Sequence, residues 1–463
     1  MITDEKFVFT SKAKRSLYIT AAIGLILAIV GVFFAASATH HDEHAGGHED
    51  THTETLAGGE NHEVGETHSG SEDLDAFSGS SDAEFAGEHH EEFHWSKRLY
   101  ANLWINNVYF IGLAIIGFFF VALQYAAQAG WSAAIQRIPL SFANWLPIGG
   151  LLLLITFILG GHDIFHWTHG DLYADAPAGD AIIKGKAPFF FWPLEGGTVP
   201  VFWIVRLVLY FVIWYGFYRM MKKTMLQEDL HGGTKYWFKL RSYSAIFLVL
   251  FAVTSSTSAW DWVMSIDVHW FSTMFGWYVF ASWFVSGLAA ITLVTVLLKE
   301  AGYLKMINSN HLHDLGKFVF AFSIFWTYIW FSQFLLIYYA NIPEETIYFV
   351  ERLASDHYAP VFFINLILNF FFPFLVLMTR DSKRHSIFLK IVCTVVLVGH
   401  WIDFYLMVTP GVLKENGGFQ FLEVGLALIY FAAFAFVALL SLSKHPLVPK
   451  NHPMLEESIH HHI

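Results

Sequence analysis

The chain alternates long apolar runs with short polar connections, and this repetition constrains the fold more than any other feature. The runs lie at about residues 17–36, 100–128, 144–163, 198–221, 241–262, 271–298, 314–340, 358–379, 386–409 and 421–442. About 20 apolar residues cross a bilayer as one helix. Inside the hydrocarbon only helices and closed barrels satisfy their own backbone polar groups. Ten runs of this length predict an all-α polytopic membrane protein of about ten transmembrane helices. A mean hydropathy of +0.46, with only 14% charged residues, likewise falls outside soluble composition. The 17 Trp and 19 Tyr suit aromatic belts at both interfaces.

Lys6, Lys12, Lys14 and Arg15 precede the first run, and Ala36-Ser37-Ala38 ends it. A cleaved signal peptide has this pattern, but the run is also long enough to span, and a retained helix is the expectation. Residues 39–94 then change character, being rich in His, Glu, Asp, Gly, Ser and Thr. Such a segment buries too little apolar surface to offset its ordering entropy and is expected to be disordered. It holds ten of the 25 histidines, and two readings stay open: a metal-scavenging tract and a merely solvated loop. His460, His461 and His462 read as a tail.

Basic residues orient the spans. The N-terminus, 129–143, 219–241, 299–317, 380–390 and the C-terminus carry 20 Lys and Arg, whereas the alternate connections carry 6. The positive-inside rule therefore places both termini in the cytoplasm and the His-rich loop outside. Composition also excludes several functions. Cys393 is the only cysteine, so the chain offers no disulfide, cysteine-ligated iron–sulfur cluster or c-type haem motif of its own. No P-loop, GxSxG or HExxH pattern occurs. The net charge of −12 is concentrated in one segment and points to no nucleic-acid partner.

Ionisable groups at membrane depth are costly and mark function. The densest stretch runs from Thr254 to Met274, where Thr254, Ser255, Ser256, Thr257 and Ser258 precede Asp261, Asp267 and His269. Two shorter clusters lie towards the same outer side: His162, Asp163 and His166 at the end of the third run, and His400 with Asp403 in the ninth. Arg206 lies inside the fourth run. A common outer half suggests one site, with His162/His166 and His400/Asp403 each sharing a helical face. The readings are a proton relay or acceptance of quinol protons, structural neutralisation of an acid by Arg206, a polar cap at the water interface, and metal or haem ligation by the histidine pair. A second, inner trail comprises the hydroxyls Thr254 to Ser258, Ser323, Thr327 and Gln333, and Asn365 with Asn369. It can hold a water chain or act as interhelical glue. His311, His313, Asp314 and Lys317 read as an interfacial cap rather than a proton entrance. No catalytic residue and no metal site are assigned.

The run Ser258 to Tyr278, with Gly161-His162-Asp163-Ile164-Phe165-His166-Trp167 and Gly399-His400-Trp401-Ile402-Asp403, resembles the membrane subunits of bacterial alternative complex III. The closer likeness is to the F-type subunit, and both types are similar to the polysulfide-reductase NrfD-like integral membrane family. The resemblance covers about Tyr100 to Leu442. It implies ten helices as two four-helix bundles with two flanking spans, in the bacterial inner membrane. It further implies a quinol-oxidising respiratory assembly with a quinol-site NrfD-like subunit, a multihaem cytochrome c, an iron–sulfur subunit and a terminal oxidase downstream. For this chain it implies no redox cofactor, menaquinone nearby and proton half-channels, with Asp261, Asp267, His269, His162 and Asp163 at the matching positions; taken with the residue pattern, the expected protonation path runs through Asp163, Asp261, Asp267, His269 and Asp403. The sequence after Asp267 departs from the quinol-site subunit's pattern, and the insertion at 39–94 is foreign to the family. The expected divisions are 1–38 (N-terminus and first helix), 39–99 (loop), 100–262 and 263–409 (the two bundles), and 410–463 (last helix and tail). A quinol-binding subunit, a secondary transporter and a scaffold without proton traffic are the rival functions.

Overall fold

The computed structural model describes residues 5–45, 94–175 and 179–462. Among them, ten helices are long and apolar enough to cross a membrane. They are α1 (Ser11–Ala45), α2 (Trp95–Ala127), α3 (Leu146–Ile164), α4 (Val201–His231), α5 (Lys235–Trp262), α6 (Phe275–Glu300), α7 (Ser309–Ala340), α8 (Ala359–Val376), α9 (Ser386–Leu413) and α10 (Phe421–Leu442). The all-α polytopic architecture read from the apolar runs is the one observed. Helix edges follow local chemistry. Asn308 opens α7 with a capping box shared with His311, and Gln420 opens α10 through Glu423. Pro147 and Pro360 sit in the first turns of α3 and α8, where a missing N–H costs nothing.

Helices α2–α5 pack around one another, as do α6–α9, while α2 also lies against α6, α9 and α10 and so joins the two groups. Apolar burial drives little association in lipid, and close packing has to do it instead. Trp104, Trp203, Trp214, Trp262, Trp283 and Trp326 are fully buried in these contacts. Outside them, α1 and α10 form a separate pair whose backbones nearly touch. A Cβ on Gly425 would run into the backbone of Ala28, and one on Gly31 into Leu422.

The two chain ends meet. The Leu447 amide donates to the Glu5 carbonyl at 2.9 Å, and Phe9 packs on Phe436. Ten crossings require this, and we call the shared side the terminal face. The opposite face carries the connections after α3, α5, α7 and α9.

Two boundaries differ from the sequence reading. Helix α1 continues to Ala45 and α2 already begins at Trp95, so both ends of the expected 39–99 loop are helical. Residues 46–93, with the disorder and metal-scavenging readings placed on them, lie outside the described residues. Helix α8 is also not uniform. Ile367–Phe371 form one turn of π-helix, with the Phe372 amide reaching back five residues to the Ile367 carbonyl. Pro373 follows, and its ring nitrogen cannot donate to the preceding turn, which a π turn accommodates.

Candidate functional site

Each bundle buries one carboxylate on its last helix. In the first bundle this is Asp261, one residue from the end of α5 and 1% exposed. Arg206 on α4 grips both its oxygens, through Nε at 2.8 Å and Nη2 at 2.7 Å. Tyr210, one turn further along α4, donates its hydroxyl to Oδ2 at 2.6 Å. The guanidinium is itself held, because Nη1 donates to the Phe189 carbonyl at 2.6 Å and its plane lies against the rings of Phe189 and Phe202. Such bidentate pairing fixes geometry as well as charge. The Asp261 centre is a closed ion pair.

The second bundle differs. Asp403 on α9 is fully buried, ten residues before the end of its helix, on the order of 15 Å in at the helical rise. Its Oδ1 accepts from the Tyr278 hydroxyl of α6 and from Asn365 Nδ2 of α8 at 2.9 Å. Its Oδ2 accepts from Trp326 Nε1 of α7 at 2.9 Å. All four helices of the bundle therefore meet at this carboxylate, and all three donors are neutral. The ionisable neighbour is His400, whose Nδ1 lies 3.8 Å from Oδ2 and 3.0 Å from Ser282 Oγ. Behind them Asn369, in the π turn, donates to Asn365 Oδ1 at 2.6 Å. His400 Nε2, Asn369 Oδ1 and Ser323 Oγ are buried without a protein partner. Gly399 makes this packing possible, since a Cβ there would strike the Asn369 amide. Two carboxylates, alike in burial, thus differ in electrostatics: a guanidinium pairs one and neutral donors hold the other.

The chain matches no protein-family model and no curated protein.

The remaining sequence candidates do not join either centre. Asp267 faces Arg352, with Nη2 3.5 Å from Oδ2. Arg352 comes from the helix Pro343–Leu353 in the connection after α7, where it donates to the Leu406 and Tyr348 carbonyls and stacks 3.4 Å over the Tyr348 ring. Trp270 stacks on the other side of that tyrosine region, 4.1 Å between centroids. These residues roof the second bundle on the opposite face. His269 turns away and pairs with Asp180 at 2.6 Å. Burial works against the Asp180 charge, but the Ile183 and Ile182 amides and His269 outweigh it and hold the carboxyl below its ordinary range.

His162 and His166 do not share a helical face. Gly160 is already non-helical (φ −128°) and α3 ends at Ile164, so His166 falls in a following turn. His162 instead meets Thr168 at 3.0 Å, and Asp163 accepts from Ser96 at 3.2 Å. The expected single outer cluster is divided among separate arrangements. The inner trail also divides. Thr254, Ser255, Ser256, Thr257 and Ser258 all donate to carbonyls three or four residues back in α5, and Thr327 does the same in α7. Hydroxyls bonded in this way are engaged with their own helix. Only Asn365 and, through it, Asn369 are hydrogen-bonded into the Asp403 centre, while Ser323 Oγ and Gln333 Nε2 are buried without a protein partner. On the terminal face His461 is no loose tail, since its ring meets Asp314 at 2.6 Å beside Lys317.

Sequence reasoning missed four groups. Three are Arg352, Tyr278 and Trp326, none of which is a site candidate in the sequence. The fourth is the buried pair Arg98–Glu423 at 2.8 Å, which ties α2 to α10 with help from Asn102. The fixed spacing of a carboxylate and an asparagine pair inside apolar runs was the available signal for the Asp403 centre.

The roof offers a test through pH. Burial and the nearby Asp267 charge push the Glu351 carboxyl up to about 7, with Arg352 opposing. A carboxyl raised on folding stabilises fully below its unfolded value near 4.5 and loses that contribution as pH rises through about 7. The side chain is 40% exposed, so solvent screens the effect. Hydrogen exchange over 343–353 is expected to accelerate between about pH 5 and about pH 8 more than in Glu351→Gln measured alongside. Parallel curves for the two proteins would remove Glu351 from the roof's pH response.

Proposed function

We propose that this chain is a membrane subunit of a quinol-oxidising respiratory complex of the alternative complex III type, without a redox cofactor of its own. In this reading it lies in a bacterial inner membrane with both termini cytoplasmic, beside a quinol-site NrfD-like subunit, a multihaem cytochrome c and an iron–sulfur subunit. Its chemical task is to hold and pass protons in the second bundle. The observation that carries the proposal is the cation-poor burial of Asp403 among Tyr278, Trp326, Asn365 and His400. An intramembrane carboxylate without a fixed counter-ion suits proton exchange, and an imidazole beside it suits relay. The gap of 3.8 Å between His400 Nδ1 and Asp403 Oδ2 is one that a water or a small side-chain rotation closes. Asp261 supports the first bundle in this scheme, because Arg206 already neutralises it.

One observation favours a second reading. A secondary transporter builds its site from discontinuous helices near mid-membrane, and α8 is interrupted at Ile367–Phe371 next to Asp403. Against it, α4, the corresponding third helix of the first bundle, runs without a break from Val201 to His231. Affinity purification in mild detergent separates the two. Co-purifying c-type haem absorbance and an iron–sulfur subunit are expected for the respiratory assembly. A colourless chain, alone or as a homo-oligomer, would sink that assignment and advance the transporter.

A further inference from the structure

The segment after α10 crosses the terminal face from the first bundle to the second. Near its start the Lys450 amide donates to Asp229 Oδ1 at 3.0 Å and Asn451 Nδ2 donates to the Asp229 carbonyl at 2.9 Å, both on α4. His452 then lies against Tyr125 of α2, 5.5 Å between ring centroids, and Leu455 is buried. The short helix Leu455–Ile459 packs on the turn Gly130–Ile135. There the Ser458 hydroxyl donates to the Trp131 carbonyl at 2.7 Å and accepts from the Ala134 amide at 3.3 Å. The far end rests on the start of α7. Asn308 and Asn310 donate their side-chain amides to the His461 carbonyl at 2.9 and 3.2 Å, and the His461 ring meets Asp314 Oδ2 at 2.6 Å.

Of the holds on α7, only that last one depends on the charge of a side chain in this segment. An imidazole carries charge only when protonated, and its ordinary titration falls between about pH 5 and about pH 8. The groups facing His461 suit a contact that can open. Lys317 holds the other oxygen of Asp314 at 2.5 Å, so the carboxylate keeps a counter-ion whether or not the imidazole is charged. His311 of α7 lies 5.0 Å away between ring centroids, accepts the Asn308 amide on Nδ1 at 3.3 Å and donates from Nε2 to Ser458 Oγ at 3.3 Å. Both its nitrogens are thereby committed, one of them to the cap of α7. Arg384 reaches the same corner by donating to Asn310 Oδ1 at 2.9 Å, and Lys299 of α6 lies within charge range of His311. Asp314 is the acid in direct contact with the His461 ring, and the surrounding cations give a charged imidazole nothing else to pair with.

We propose that the segment after α10 is a strap over the terminal end of the second bundle, and that His461 on Asp314 is its clasp, fastened while the imidazole is protonated and loosened as it becomes neutral. Protonation joins an imidazolium to a carboxylate. Loss of that proton leaves a neutral N–H against a carboxylate that Lys317 already balances, and the start of α7 is uncovered. Docking is therefore strongest at low pH and weakens as pH rises. The strap covers the bundle to which the proton path is assigned, but the inference rests on the strap's own contacts. Hydrogen exchange of residues 455–461, in the full chain in mild detergent, tests it. Each variant is compared with the wild type at the same pH, so the intrinsic pH dependence of exchange cancels. At about pH 5.5 His461→Gln, which keeps a donor but not the charge, is expected to exchange roughly threefold faster than the wild type, and at about pH 8 at the wild-type rate. Asp314→Asn is expected to speed low-pH exchange in the wild-type background and to add nothing to His461→Gln. Exchange over α9 stays unchanged in each variant, which separates release of the strap from loss of the fold. A variant-to-wild-type ratio equal at the two pH values, exchange untouched by His461→Gln at low pH, or additive effects of the two substitutions would each overturn the clasp. Proton flux does not enter the measurement, so a failure of the clasp and a failure of the proton path are told apart.

Discussion

Replacing Arg206 by leucine is expected to lower the stability of the chain by about 3–5 kcal/mol, the cost of leaving a buried charge without its partner. The size follows from geometry. Asp261 is 1% exposed and receives two of its three side-chain hydrogen bonds from Arg206. Tyr210 alone would remain, and one neutral hydroxyl does not offset the desolvation of a carboxylate. The same substitution also frees the Phe189 carbonyl and uncovers the Phe189 and Phe202 rings. The double variant Arg206→Leu with Asp261→Asn removes the orphaned charge and is expected to recover most of the loss. Unfolding midpoints in detergent for the wild type, both singles and the double measure this coupling. An Arg206→Leu midpoint equal to the wild type would refute the ion-pair account, and the assignment of Asp261 as structural would fall with it.

That experiment also marks what a sequence can and cannot disclose about such a fold. The crossings were legible because a span has a minimum length and an apolar composition, and both are local properties. Arg206 was recognisable as exceptional for the same reason, as a charge inside an apolar run. Its partner was not, because Asp261 is 55 residues away and Asp163, Asp267 and Asp403 were equally plausible at that depth. Side-chain partners depend on how helices rotate and tilt, and periodicity in lipid-facing helices says little about either. The His162/His166 pair shows a second limit. Spacing of four implies a shared face only while the helix lasts, and Gly160 begins to end it too early. The five hydroxyls of α5 show a third, since a polar run inside a membrane helix can satisfy itself against its own carbonyls. Asn365 and Asn369 escaped these limits. Asn365 donates to the buried Asp403 carboxylate and Asn369 donates to Asn365, whereas Asn102 and Asn106, at the same spacing in α2, donate to carbonyls of their own helix.

Asp403→Asn carries the largest functional effect expected of the molecule. If protons pass through the second bundle, the assembled complex carrying this variant should translocate or exchange them at least tenfold more slowly, while its haem content and subunit composition stay those of the wild type. The amide cannot take up a proton, which removes the relay at its deepest point. It also turns one acceptor oxygen into a donor. Trp326 Nε1, or the Tyr278 and Asn365 donors on the other side, would then face an NH₂ group, a conflict costing about 1–3 kcal/mol. Loss of function therefore needs a control that keeps the acid. Asp403→Glu strains the packing comparably but retains the ionisable group, so partial proton exchange in Glu against none in Asn separates chemistry from misfit. His400→Gln adds a second control, because it preserves a hydrogen bond to Ser282 but not an ionisable ring. Reconstituted vesicles with a pH-sensitive dye inside report the proton flux, and quinol oxidation is followed in the same preparation. Proton movement unchanged in Asp403→Asn would sink the path, and the polar core of α6–α9 would stand as interhelical glue. Quinol oxidation abolished in an intact complex would transfer the site to the quinol itself. Full oxidation with lost proton movement is the outcome expected from a carboxylate that three neutral donors hold and no fixed cation neutralises.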